Sequence, residues 1–258
     1  MSLVTTTVED HIGRVVLDSP DTRNALSDEL LDELLASLSA LKDDDEVRVV
    51  TIASSHERVF SAGGDLKAFA GDRSASDKYQ GLDRFPRLYE LLGGLGKPVV
   101  CLATGDVLAG ALGLALACDI VLAKRSVRFG CPEINVGVFP FMISALIFRS
   151  VPRLQANELM MLGELVSADE ARGLGIVTRV LDDATFDADA AAYVERLATK
   201  SPLLMRMGKD AIDATRDMAL PEALQALRSQ LAVALSTQDV VEGVTAFREK
   251  RSPEWSGR

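Results

Sequence analysis

Strand-forming runs alternate with helical ones as far as residue 181, and beyond residue 185 no strand pattern occurs at all. That order leaves few architectures open: an α/β core followed by a helical appendage. Residues 3–17 alternate and are β-branched, as in a hairpin turned at Asp10-His-Ile-Gly13. Ser27 opens a helix with acids in its first turn and Leu30, Leu31, Leu34, Leu35, Leu38 and Leu41 at helical spacing. Residues 47–53 are almost continuously apolar, the pattern of a strand buried on both faces. Strands follow at 97–103 and 119–123, on either side of a small-residue helix over 108–117. Helices are expected near 140–150 and 154–163, and Ser167-Ala-Asp-Glu170 is a capping box opening a short helix. A last strand spans 176–181. Segments 185–200, 202–217, 221–236 and 239–250 all have helical periodicity. We therefore divide the chain into an α/β core over 1–195 and a C-terminal helical region over 196–258.

Composition narrows the function. The chain has 258 residues, 48% hydrophobic and 26% charged, as in a soluble globular protein, and its 5% aromatic content predicts a mainly aliphatic core. A net charge of −10 argues against nucleic acid, which needs clustered Lys and Arg. It does not exclude an anionic ligand, for which a few local cations and backbone N–H groups suffice. There is no apolar stretch of membrane-spanning length, and the N-terminus lacks the basic and apolar runs of a signal peptide. Cys101, Cys118 and Cys131 form no Cys-x-x-Cys pair and are expected to be buried thiols in a reducing cytoplasm. His11 and His56 pair with no cysteine or carboxylate at ligand spacing, and no Gly-x-Ser-x-Gly elbow occurs. Chemistry here falls to carboxylates and backbone amides.

Two small-residue turns stand out. Ser61-Ala-Gly-Gly-Asp-Leu-Lys67 follows a strand and opens a helix, so its glycines let the backbone approach a ligand with orphan N–H groups outward. Ala109-Gly-Ala111 begins a second helix of small residues, which equally suits close helix–sheet packing. Glu133 lies in an uncharged stretch, Gly130-Cys-Pro-Glu-Ile-Asn-Val136, just after a strand. Gly93-Gly-Leu-Gly-Lys97 is not a phosphate-binding loop, because Leu91 and Pro98 occupy positions that need Gly and Ser or Thr.

In order and spacing these segments resemble the crotonase superfamily, the enoyl-CoA hydratases and isomerases, over nearly the whole chain. Arg23-Asn-Ala-Leu-Ser27 resembles the family's CoA-binding loop, and the turns at 61–67 and 104–120 resemble its two oxyanion-hole motifs. Residues 129–140 resemble the stretch carrying its second catalytic glutamate, and 242–251 its closing helix. The resemblance implies a ββα spiral core with a C-terminal helical oligomerisation region, assembled as a homotrimer or a dimer of trimers. It implies an acyl-CoA substrate, no metal or redox cofactor, and no nucleic-acid or membrane partner. By position, the N–H groups of Gly64 and Gly110 would bind the thioester oxygen and Glu133 would move protons. Arg23, Ala25, Ala62, Asp65 and Leu66 would line the CoA path. Lys67, Phe247 and Lys250 are candidate contacts to CoA, the last two reaching a neighbouring subunit's; for both lysines a solvated helix face is the competing reading.

The sequence departs from the pattern where the hydratases' first glutamate belongs, which is Gly113 here. With a single glutamate the resemblance implies an enoyl-CoA hydratase, with Δ3,Δ2-enoyl-CoA isomerisation as the alternative and decarboxylation, or an acyl-CoA-binding protein without activity, as further ones. Asp106 is the nearby carboxylate that could substitute. Pro140-Phe-Met-Ile-Ser144 is a second departure: Phe141 and Met142 either reshape the acyl pocket or pack a helix on the core.

Overall fold

The computed structural model describes residues 2–65 and 74–258. Its strands, in chain order, are β1 (Val4–Glu9), β2 (Ile12–Leu17), β3 (Val49–Ser54), β4 (Val59–Ser61), β5 (Val99–Ala103), β6 (Asp106–Leu108), β7 (Ile120–Lys124), β8 (Arg128–Gly130), β9 (Leu165–Ser167) and β10 (Arg179–Leu181). They form a six-stranded sheet, β1-β2-β3-β5-β7-β10, and a four-stranded sheet, β4-β6-β8-β9. The β1–β2 hairpin is antiparallel; from β2 onward the large sheet is parallel. Parallel strands need crossovers, so each passage through the large sheet is followed by a short strand in the small one or by a helix.

Helix α1 (Asp28–Asp43) buries all six leucines expected from their spacing, and the Ser27 side chain accepts the N–H of Leu30 at its N-terminus. Next come α2 (Ala75–Gly81), α3 (Arg84–Gly93) and α4 (Gly110–Ala117). Helix α1 packs on β1, β2 and α3, and α3 in turn packs on α4. A fork from Arg84 to both carboxyl oxygens of Asp32, at 2.7 and 2.8 Å, fastens α3 to α1. Helix α5 (Phe141–Ser150) lies against α4, followed by α6 (Arg153–Leu162) and α7 (Ala168–Gly173), where the capping box is present in both directions.

Two boundaries differ from expectation. Residues 108–117 are not one helix: Leu108 ends β6 and Ala109, with φ at 51°, turns the chain before α4 begins. Of residues 176–181 only the last three are strand; Ile176 and Val177 instead plug the core from the turn. The small sheet gives little local signal, since its strands are three residues each, whereas α3, absent from the expected elements, does repeat Phe85, Leu88 and Leu92 at helical spacing.

The C-terminal helices are α8 (Phe186–Ala198), α9 (Pro202–Thr215), α10 (Leu220–Ala234) and α11 (Gln238–Glu249). Phe186, Ala190, Val194 and Ala198 of α8 cover the outer face of the large sheet, against Ile12, Val49, Val100 and Leu122. Buried Lys209 of α9 reaches Asp119 at 2.7 Å and the Lys97 carbonyl at 3.0 Å, anchoring the helix to the residues that lead into β7 and β5. Helix α10 buries none of its residues. Among the described residues no helix is long and apolar enough to cross a membrane.

Candidate active site

The site is assembled where β4 and β6 end. Three segments are stitched together by one buried side chain, Asn24. Its amide N–H groups donate to Ser54 Oγ at 2.7 Å and to the Phe60 carbonyl at 3.2 Å, while its oxygen accepts the Ser19 N–H at 2.7 Å. Ser61 answers by donating to the Asn24 carbonyl at 2.6 Å and accepting the Gly63 N–H at 3.2 Å. Asn24 and Ser61 are both fully buried, so this network holds the first glycine turn rigidly against the loop before α1.

Gly64 forms an isolated parallel bridge with Leu26, and the Leu26 N–H donates to the Gly63 carbonyl at 2.8 Å. A trans peptide points its C=O and N–H in opposite directions. The Gly64 N–H is therefore turned away from Leu26, towards the start of α4. There Gly110 is the first residue of the helix, so its N–H is one of the orphan donors of a helix N-terminus. The two turns touch: a Cβ placed on Gly110 would lie 3.3 Å from the Gly64 nitrogen. Contact is closer still at Gly63, where a Cβ would meet Ala109 Cβ at 2.5 Å and the Gly110 nitrogen at 2.8 Å. Gly63 also has φ of 86°, so only glycine brings these two strands of backbone together without strain.

Glu133 comes from the short 3-10 turn Pro132–Val136 that follows β8. Its Oε2 is buried without a hydrogen-bond partner. Burial pushes the carboxyl up to about 7 from an ordinary 4.5, opposed in part by a hydrogen bond from its own backbone N–H. Gly64, Gly110 and Glu133 line one cleft of about 500 Å³, together with Ala62, Asp65 and apolar walls from Phe85, Phe139 and Ile143. Two N–H donors and a carboxyl tuned near neutrality, in apolar surroundings, can stabilise an oxyanion and move a proton beside it.

The other expected residues divide. Arg23, which is exposed, and half-buried Ala25 do not line the cleft; the Arg23 carbonyl accepts the Ala62 N–H at 3.0 Å, next to it. Leu66 and Lys67 lie outside the described residues. Phe247, 84% exposed on α11, and Lys250, which caps that helix, do not line the cleft of their own chain. Asp106 is no substitute acid: its carboxylate is engaged by the backbone N–H and guanidinium of Arg128, and it does not line the cleft. Phe141 and Met142 do both line it, and Phe141 is 76% exposed against the Phe139 ring, so it shapes the pocket rather than the core.

At Gly113 a Cβ would collide with Ile143 Cγ2 of α5 and with the Tyr89 hydroxyl of α3. The space a longer residue would need is already filled. Tyr89 escaped the sequence reading; its only signal is its place four residues after Phe85, on the face that buries Leu88 and Leu92.

Comparison with known proteins gives the family and the fold. The Enoyl-CoA hydratase/isomerase family model matches residues 7–258. The 2,3-dehydroadipyl-CoA hydratase of Escherichia coli (strain K12) is 32% identical, with 100% of each chain covered. The carnitinyl-CoA dehydratase of Proteus mirabilis is also 32% identical, over 98% of this chain and 97% of its own length. Among solved structures, an enoyl-CoA hydratase from Mycobacterium smegmatis superposes with a TM-score of 0.93 at 31% identity, covering 98% of both chains. The chain belongs to the enoyl-CoA hydratase/isomerase family and has the crotonase fold of an acyl-CoA-processing enzyme.

Proposed function

We propose that the protein adds water reversibly across the C2–C3 double bond of a 2-enoyl-CoA thioester, with Glu133 as acid and base. The observation that carries this reading is the Glu133 carboxyl itself: buried, unpartnered at Oε2 and raised to about 7, beside two converging N–H donors. Glu133 takes a proton from water as the water oxygen bonds C3. The π electrons move through C2 onto the thioester oxygen, which the N–H groups of Gly64 and Gly110 receive. Glu133 then delivers a proton to C2 and the carbonyl re-forms. Each preorganised donor contributes about 3 kcal/mol to such a step, and the carboxylate about 10²–10⁴-fold in rate.

The names of the two relatives above, a hydratase and a dehydratase, support water addition or removal as the reaction. Isomerisation between 3-enoyl and 2-enoyl thioesters is the second reading, favoured by Gly113, because helix α4 carries no acid to share the work with Glu133. Ala62, Asp65 and Lys78 on the cleft wall, with Arg23 and Ala25 on the adjoining loop, are proposed to receive the CoA moiety. Subunit association as a trimer or pair of trimers is proposed for the exposed face of α10, where Leu220, Leu224 and Leu231 are 71, 55 and 59% exposed; light scattering giving a monomer would remove it. The functional test is turnover of crotonyl-CoA and of a 3-enoyl-CoA by the native protein and by Glu133→Gln. Hydration by the native enzyme that vanishes in the variant supports the proposal. Isomerisation without hydration selects the second reading, and binding without turnover in either protein defeats both.

A further inference from the structure

Three helices meet at Gly113. Helix α4 offers a bare backbone there, α5 contributes Ile143, and α3 contributes Tyr89, whose hydroxyl occupies the volume that a side chain at 113 would take. Among the described residues, two buried side-chain polar atoms have no hydrogen-bond partner: Tyr89 Oη and Glu133 Oε2. They border one region: Phe85, against the Tyr89 ring, and Ile143, which meets the Tyr89 hydroxyl at the Gly113 position, both line the cleft with Glu133, and the Glu133 charge reaches the phenol. Burial first, and then the Glu133 carboxylate, hold the Tyr89 hydroxyl well above its ordinary 10, so it remains protonated and neutral.

An orphaned buried polar group is costly, and two in one region call for a shared partner. The surroundings are otherwise apolar: the ring of Phe85 is 6.3 Å from that of Tyr89, and Ile143 closes the other side. A molecule small enough to fit between them, with both hydrogen-bond donors and acceptors, is water. Such a site holds water when at least two polar partners converge on it.

We propose that Tyr89 is a positioning residue for the nucleophile: its hydroxyl and Glu133 Oε2 hold between them the water that adds to C3 of the enoyl thioester. This rests on the hydratase reading above. One O–H of the water points to Glu133 and is the bond that breaks, its proton passing to the carboxylate. The other O–H donates to the Tyr89 oxygen and stays intact, so Tyr89 gains and loses no proton. With both O–H directions set, a lone pair of the water oxygen faces C3. Tyr89 thus does from α3, through a neutral group, what α4 at Gly113 has no side chain to do.

Tyr89→Phe removes the oxygen alone and keeps the ring. The experiment measures three quantities in the native protein and the variant: hydration of crotonyl-CoA, solvent-deuterium exchange at C2 of butyryl-CoA, and Tm. Exchange needs Glu133 and the N–H donors but no added water. The expected result is a kcat for hydration lower by about 10- to 100-fold, as for a misplaced reactant. KM and the exchange rate stay within about twofold of native, and Tm is unchanged or higher. Gly113→Ala, whose methyl displaces the hydroxyl without deleting it, is expected to show the same split. Native kcat in Tyr89→Phe, or an equal loss of hydration and exchange, overturns the proposal. If the native protein exchanges but hydrates nothing, the hydratase reading falls and this one with it, an outcome distinct from the other two.

Discussion

Glu133→Gln is expected to abolish turnover and to gain stability relative to the native protein as pH rises from about 4.5 to about 7. The carboxyl is raised from 4.5 to about 7 by burial. The folded protein therefore keeps a proton that the unfolded chain releases, and native stability falls as pH rises from about 4.5 to about 7, then levels off. At about 1.36 kcal/mol per pH unit the ceiling on this loss is about 3.4 kcal/mol. The side chain is partly open to the cleft, and solvent screening leaves about 1–2 kcal/mol. Glutamine carries no such titration; any cost of burying its amide is the same at every pH and drops out of the comparison. For a protein of this size about 1–2 kcal/mol moves Tm by about 2–8 °C. Thermal unfolding of both proteins across this range is the assay. The Tm of the variant relative to native should climb between about pH 4.5 and about pH 7 and be constant above. A difference that stays flat, or shrinks as pH rises, would show that the carboxyl is not held near neutrality and would remove the basis for its role in proton transfer.

The same carboxyl sets the pH dependence of turnover: kcat/KM of the native enzyme should rise with pH and level near about 7, and a limb at ordinary carboxylate pH would refute the burial argument. Gly63→Ala drives a methyl group to 2.5 Å from Ala109 Cβ and 2.8 Å from the Gly110 nitrogen. By parting the two N–H donors it should lower kcat by about 100-fold or more, with a far smaller change in CoA affinity measured by calorimetry. Asn24→Ala strands the half-buried Ser19 N–H and unlinks the loop at 24 from the ends of β3 and β4. A loss of about 2–4 kcal/mol in denaturant unfolding is expected. Lys209→Met removes the side chain that ties α9 to solvent-exposed Asp119 and should cost about 1 kcal/mol by the same measurement, with kcat unaltered.

The helices were legible wherever a face repeats within a few residues. Leu30, Leu31, Leu34, Leu35, Leu38 and Leu41 announce α1 because each is three or four positions from another and all six are buried. Strands of three residues give no such repeat, which is why the small sheet and the break at Ala109 did not show. Asp106 looked available because its partner, Arg128, lies on a different strand; pairing of β6 with β8 brings them together. Phe247 and Lys250 end a helix that turns them away from the cleft of their own chain.

From the order of its residues alone, this chain determined its glycine turns, the uncharged setting of Glu133 and the empty position at Gly113, since these are properties of single residues and their near neighbours. Tertiary packing decided that the 63–64 peptide turns its N–H towards Gly110, that burial lifts the Glu133 carboxyl, and that Tyr89 fills the space beside Gly113. The reason is physical. Backbone direction, desolvation and the meeting of α3, α4 and α5 depend on which surfaces the whole core presses together, and no local pattern of residues encodes that contact.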